Sequence, residues 1–363
     1  MALGFAQAAT AEDFKIGAVA SLSGPAAGFG KDYSDGFKAY VDGWNKRGGL
    51  NGRKIVLELL DDETNPVGAV NAFRRLASDA KTSVIWLGVS SNSALGIKPL
   101  SSEFKVPVVT GGAVDTLGIP ANPYFFKVVP GTKDFMIAVV DWAKKQKFTR
   151  IATLNATDAY GQSEAKYLKE LAAAAGIQVV AAETFAVTDT NFNVQLVKIR
   201  NSNAQLLYDG ATGGTGILIF KQFKQLDLKM PLMVSQALFN RAFFDSVPDK
   251  KSINGVLTPT NLGSLAASLG GDVGKMHKEL SDVLGRPAGL FHTFGWDHGI
   301  ATEWAIKNSD GTRDGIRAAL DKIKDLPAIN GPLTYTPDNH IGQDARGLLI
   351  ARYQDGKFVP ADK

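Results

Sequence analysis

Residues 16–63, IGAVASLSGPAAGFGKDYSDGFKAYVDGWNKRGGLNGRKIVLELLDDE, constrain the fold more than any other stretch of the chain. Ile16–Ala20 is a short apolar run, the pattern of a parallel strand covered on both faces. Ser21–Gly30 carries Gly24, Pro25, Gly28 and Gly30, so the chain turns there and leaves backbone N–H groups open. Phe29, Tyr33, Phe37, Val41 and Trp44 then recur at steps of three and four, one face of a helix. Gly48-Gly49 stops that helix and Ile55–Leu60 forms a second strand. The unit is βαβ, with a loop suited to holding a ligand. Phe37 and Trp44 are expected in the core, whereas Phe29 stands at the loop mouth, between pocket and core.

The alternation continues. Helices are predicted over 66–80, 94–104, 165–175 and 215–226, with NFNVQLVKIR between them. Strands are predicted over 83–88, 106–110, 124–128, 150–154, 178–182, 205–208 and 232–234. At Arg150 the strand–loop–helix order restarts, giving two similar halves and an α/β fold of two doubly wound parallel-sheet lobes. A chain of 363 residues, 45% hydrophobic and 21% charged, has the size and composition for two such cores. Ligand loops belong at the carboxyl ends of the strands. In the first half these are SGPAAGFG, Val89–Ser93 and Gly111–Val114. Ser90 or Ser91 can cap the following helix, whose N-terminus favours an anion, and Gly111-Gly112 lets N–H donors approach closely.

Catalytic patterns do not materialise. No two of His277, His292, His298 and His340 have the i, i+4 spacing of a helical metal site. GVSSN has Asn92 where a nucleophile elbow needs glycine. Gly30-Lys31 is followed by Asp32 and preceded by Pro25, against a phosphate loop, and GATGGTG has the wrong glycine spacing for a dinucleotide. With no cysteine, thiolate metal sites, disulfides and thiol catalysis are excluded, and no cofactor is expected. A net charge of +4 without a basic run argues against nucleic acid.

The words SLSGP, GFG, GGLNGRKI and LLDDE resemble the opening of the branched-chain amino-acid type of periplasmic solute-binding protein (type I), and the likeness runs over nearly the whole chain after Asp13. That resemblance implies a carrier of an ABC importer, not an enzyme. Three hinge crossings would lie near Gly131, Pro259 and Gly331. Residues 14–131 and 259–331 then form one lobe, and 132–258 and 332–363 the other. The opening MALGFAQAATAEDF has small residues at alternate positions before Glu12-Asp13, like the end of a secretory signal. Residues 1–13 are thus expected to be a signal remnant or disordered arm. The protein itself is expected to be a monomer of the periplasm, without a lipid-bearing cysteine, that docks on a membrane permease.

The resemblance also implies site residues. Ser90 and the run Gly112-Ala113-Val114 match the positions that hold a ligand carboxylate, with Val114 in place of a hydroxyl-bearing residue, and Ser91 beside Ser90 is a further candidate for binding the ligand. Tyr160 matches the tyrosine that closes over the ligand. The family's first-loop tyrosine is Phe29 here. The acid that pairs with an amino-acid ammonium falls at Gln236, and a second tyrosine at Ala211. A buried ammonium without a countercharge costs several kcal/mol, so the site is expected to reject ordinary α-amino acids unless Asp209 restores the charge. Phe29, Tyr160, Leu238 and Phe239 are expected to form an apolar slot. An aromatic acid is the first choice of ligand, aliphatic keto or hydroxy acids the second, amides or urea the third. A ligand-sensing regulatory domain and a dinucleotide-dependent enzyme are the rival classes.

Overall fold

The computed structural model describes residues 12–50, 52–266 and 270–361. The expected signal segment therefore lies outside the described residues up to position 11.

The first lobe is built from β1 (Phe14–Ala20), α1 (Ala27–Lys46), β2 (Ile55–Asp61), α2 (Pro66–Ser78), β3 (Thr82–Gly88), α3 (Ser91–Glu103), β4 (Val108–Thr110) and β5 (Phe125–Lys127). Its strands pair in parallel in the order β2-β1-β3-β4-β5. The sheet has an apolar core on each face. Ile16, Val84 and Trp86 meet α1 on one side, while Val19, Ile85 and Leu87 meet α2 and α3 on the other. This is why β1 and β3 read as unbroken apolar runs.

The second lobe holds α4 (Thr132–Lys145), β6 (Arg150–Ala156), α5 (Ala159–Ala174), β7 (Gln178–Phe185), α6 (Asn193–Asn201), β8 (Leu206–Gly210), α7 (Gly213–Gln225), β9 (Leu232–Val234), α8 (Arg241–Ser246) and β10 (Leu257–Asn261). The chain then returns to the first lobe with α9 (Gly271–Leu284), α10 (Leu290–Lys307) and α11 (Arg313–Leu320) before β11 (Leu348–Gln354) and β12 (Lys357–Pro360) close the second sheet. That sheet runs β12-β11-β10-β9-β8-β6-β7. It is parallel from β7 to β10, but β10–β11 and β11–β12 are antiparallel, so it is mixed and not purely parallel.

The chain first crosses between Lys127 and Thr132. The second crossing comes later than Pro259, because β10 stays in the second sheet through Asn261. The ladder to β9 reaches only Leu257↔Met233, so Pro259 sits where the strand has a single neighbour and its missing N–H is tolerated. The third crossing comes later than Gly331. Leu333 and Tyr335 belong to the first core, and Gly342 N–H donates to Lys127 O at 2.9 Å, which moves the crossing to 343–347.

Helix α10 is buried along most of its length and lies against α1. The two helices approach at Gly36 and Gly295, where a Cβ on Gly36 would collide with His292 O and the Gly295 Cα. That close crossing brings Phe291 and Phe294 beside Phe29 and Tyr33.

Candidate functional site

A cavity of about 230 Å³ opens between the lobes. It is lined by segments that follow the carboxyl ends of strands in both sheets. From the first lobe come Pro25 and Ala26 after β1, Thr64 and Pro66 after β2, Val89–Asn92 after β3 and Gly111–Ala113 after β4. From the second come Asp158 and Tyr160 after β6, Val187 after β7, Thr212, Gly214 and Thr215 after β8, and Gln236 and Ala237 after β9. The lobes touch at its rim, where Ala159 N–H donates to Asn92 Oδ1 at 3.2 Å.

The first-lobe wall presents donors. Ser90 caps α3: its Oγ accepts from Ser93 N–H at 3.2 Å and its O–H donates to Ser93 Oγ at 3.2 Å, and no acid occupies the first turn of that helix. Gly112 N–H is taken by Thr110 Oγ1 at 3.1 Å, whereas the N–H groups of Ala113 and Val114 have no internal partner among the described residues. Tyr33 Oη donates to Gly111 O at 3.1 Å, and a Cβ on Gly111 would overlap that hydroxyl, so glycine is required there. Phe29, Tyr33, Phe291 and Phe294 form an aromatic flank, with ring centroids 5.4 Å apart for Phe29–Phe291 and 5.3 Å for Tyr33–Phe291.

The second-lobe wall is built over a buried polar cluster. Helix α5 begins at Ala159, earlier than its predicted start, because Asp158 caps it by accepting from Gly161 N–H at 2.8 Å. Tyr160 therefore lies in the first helical turn. Its hydroxyl donates to Gln236 Oε1 at 2.8 Å and lies 2.9 Å from Ser235 Oγ. Beneath it, Tyr208 Oη donates to Glu164 Oε1 at 2.6 Å. Burial pushes the Glu164 carboxyl up to about 8, only partly offset by its tyrosine partners. Burial also raises Asp158 from the ordinary carboxylate range, against backbone N–H bonds that pull it down.

Of the residues singled out in the sequence, Phe29, Ser90, Ser91, Gly112, Ala113, Tyr160 and Gln236 line this cavity. Five others do not. The Val114 side chain belongs to the core under α3. Asp209 is fully buried, with Oδ1 accepting from Ala211 N–H at 3.1 Å, and desolvation raises its carboxyl to about 8. Ala211 and Leu238 are covered by α7, where Gly216 comes close to both. Phe239 turns into the second core and stacks with Phe244 at 5.8 Å.

The sequence reading missed Tyr33, Phe135, Phe291 and Phe294 as wall residues. The Phe291/Phe294 spacing after Gly289 was a visible signal of a helix start with two aromatics on one face. It also missed Asp158 as the acid that faces the cavity, although Asp158 stands in the same DAYG word as Tyr160. Among the described residues no cluster of histidine or carboxylate side chains suits a metal ion.

Two α/β lobes that enclose a cavity at the carboxyl ends of their strands, joined by three crossings, define a two-lobed solute-binding protein. The chain belongs to the periplasmic binding protein family, whose model matches residues 13–357, and it is of the type I, branched-chain amino-acid kind. This is a family of solute-binding proteins and not of enzymes. The chain is 26% identical to the Leu/Ile/Val-binding protein BraC3 of Rhizobium johnstonii over 99% of its length and 96% of that protein. It superposes on an extracellular ligand-binding receptor from Rhodopseudomonas palustris HaA2 with a TM-score of 0.86 and 25% identity, covering 96% of this chain and 99% of that one. A solute-binding protein of an R. palustris ABC transporter, solved in complex with benzoate, gives a TM-score of 0.83 at 22% identity, covering 96% and 95%. Among the described residues no helix is long and apolar enough to cross a membrane.

Proposed function

We propose that this protein binds a small carboxylate lacking an ammonium group, an aromatic acid before others, and delivers it to the permease of an ABC importer. The observation that carries this reading is the state of Gln236. Its Oε1 is occupied by the Tyr160 hydroxyl, and its NH₂ makes no hydrogen bond among the described residues. The polar group offered by that wall is thus a donor, which suits a ligand oxygen and disfavours an ammonium. The first-lobe wall adds the N–H of Ala113, with that of Val114 next along the chain, and Ser90 Oγ, whose O–H would turn from Ser93 Oγ to the carboxylate. Phe29, Phe291 and Phe294 supply apolar surface for a ring. Hinge bending at the crossings would exclude water and strengthen those few hydrogen bonds. A periplasmic monomer, exported by a cleaved signal, is the form in which this activity is inferred.

Asp158 favours a second reading. It is a half-buried carboxylate on the cavity wall and would meet an ammonium, as needed for the amino acids named for the relatives. A thermal-shift panel on ligand-stripped protein separates the two. It holds benzoate and hydroxycinnamate, keto acids, leucine and short amides. A ligand at about 1,000 times its Kd stabilises the fold by roughly 4 kcal/mol, several degrees in midpoint. A shift with benzoate and none with leucine is expected; a shift with leucine alone overturns the first reading and favours the second, in which loss of that shift in Asp158→Asn is then expected.

A further inference from the structure

We propose that Lys127, at the end of β5, is a positioning and specificity-determining residue whose buried ammonium biases the cavity towards an anion. The inference rests on the carboxylate-binding reading above. Lys127 is fully buried, and its Nζ donates to Ala113 O at 2.8 Å and Val114 O at 3.0 Å. These are the carbonyls of the loop that forms the first-lobe wall. In a trans peptide the C=O and the following N–H point in opposite directions. The Ala113 carbonyl, held by the ammonium and by Thr132 N–H at 3.0 Å, therefore turns the Val114 N–H away from Lys127, and that N–H has no internal partner among the described residues.

The lysine is itself locked. Tyr335 Oη donates to its carbonyl at 2.9 Å, and its own N–H donates to His340 O at 2.9 Å. No carboxylate forms an ion pair with its Nζ among the described residues. Asp115 and Asp134 act on it only through space, as does Lys98 with the opposite sign. Burial lowers the ammonium to about 8 and the two aspartates pull it back up. A cation kept one peptide behind a cavity wall, without a contact counterion, acts on whatever charge the cavity receives. Its peptide contacts also polarise the donors in front of it.

The test compares wild type with Lys127→Met, Lys127→Gln and Lys127→Arg, all checked for native circular dichroism. Affinity is measured by calorimetry for benzoate against benzamide and for leucine against leucinamide. The acid-to-amide ratio is expected to fall about tenfold or more in the Met and Gln variants and to be restored in the Arg variant. A ratio unchanged in the Met and Gln variants overturns the inference while leaving the carboxylate reading intact. If neither neutral variant folds, the wild-type benzoate-to-benzamide ratio is followed from pH 6.5 to 10.5, where neither ligand titrates: it is expected to fall as the ammonium deprotonates, and a flat ratio overturns the inference. A wild type that takes the amides and neither acid defeats the carboxylate reading and this inference together.

Discussion

The Tyr160 hydroxyl donates to Gln236 Oε1 across 2.8 Å, linking the first turn of α5 to the segment after β9 inside one cavity wall. The bond fixes which end of the amide is used internally and which remains for a ligand.

Gln236→Glu keeps the acceptor for Tyr160 and replaces the NH₂ by a second carboxylate oxygen. A negative charge then faces the ligand carboxylate in a largely apolar cavity. Benzoate affinity is expected to fall at least about tenfold, and leucine affinity to rise, because the same charge now pairs with an ammonium. Titration calorimetry with both ligands on both proteins checks the pair of changes. Loss of both ligands would show that Gln236 acts only through Tyr160.

Ser90 has two roles that substitution can separate. Ser90→Ala removes the α3 cap and is expected to cost about 1 kcal/mol in urea unfolding, together with carboxylate affinity. Ser90→Asp keeps a capping oxygen and so is expected to retain most of the stability. Its charge faces the bound anion, however, and benzoate affinity should fall further than in the alanine variant. Equal benzoate affinity in wild type and both variants would remove Ser90 from the site.

The lobes and the first-lobe site loops were legible in the sequence because parallel strands buried on both faces leave apolar runs, and glycines mark the turns after them. Gly111 and Ser90 are of this kind: their roles follow from backbone conformation and capping, which are local. Leu238 and Phe239 follow the wall residue Ala237 in the chain, and Asp209 is the acid near the end of β8, three residues before the wall residue Thr212. Asp209 is buried in β8 with its carboxylate on Ala211 N–H, while Leu238 and Phe239 lie in the turn after β9 and both enter the second core, a direction set by tertiary packing against α7 and α8. Phe291 was not legible because its place depends on the close α1–α10 crossing at Gly36 and Gly295, residues that lie far apart in the chain.

Phe291 is the aromatic that this crossing delivers, packed on both Phe29 and Tyr33. Phe291→Ala is expected to lower stability by about 3 kcal/mol through the lost burial and the void left behind. Benzoate affinity should drop about tenfold or more, while a short aliphatic keto acid, which needs no ring surface, should lose less. Calorimetry with the two acids on the variant reads the difference, and equal losses would place the ring elsewhere.

The buried acids give both lobes a response to pH, with Asp297 of the first lobe raised by burial to about 7. Glu164 and Asp209 have carboxyls raised by burial to about 8, above the ordinary 4.5 and 3.8. A carboxyl whose folded value lies above its unfolded value binds its proton more tightly in the native state. The stability it lends is full below the unfolded value and is lost as pH rises towards 8, with a slope of at most about 1.4 kcal/mol per pH unit for each group. His298 in the first lobe acts oppositely. Burial lowers it from 6.5 to about 4, so its contribution is present above 6.5 and lost as pH falls towards 4. Glu164→Gln retains an acceptor for Tyr208 and removes one titrating group. Its urea midpoint is expected to vary less than that of wild type between pH 5 and 8; an identical profile would mean that Glu164 is ionised across that range.

Asp297 on α10 braces the segment that leads into the third crossing. Its Oδ1 accepts from Ile329 N–H at 2.9 Å, and its Oδ2 from Asn330 N–H at 3.2 Å, Asn330 Nδ2 at 2.9 Å and Gln343 Nε2 at 3.1 Å. All four donors are buried with it, so Asp297→Ala strands them without water and is expected to cost at least about 3 kcal/mol. Asp297→Asn keeps one carbonyl oxygen but turns an NH₂ towards donors, and should cost nearly as much. Since Gln343 lies at the crossing itself, the loss should be local as well as global: amides of 329–343 are expected to exchange with deuterium faster than those of β1 and β3 in the same variant. Uniform acceleration across both lobes would mean that Asp297 supports the core of the first lobe and not the hinge.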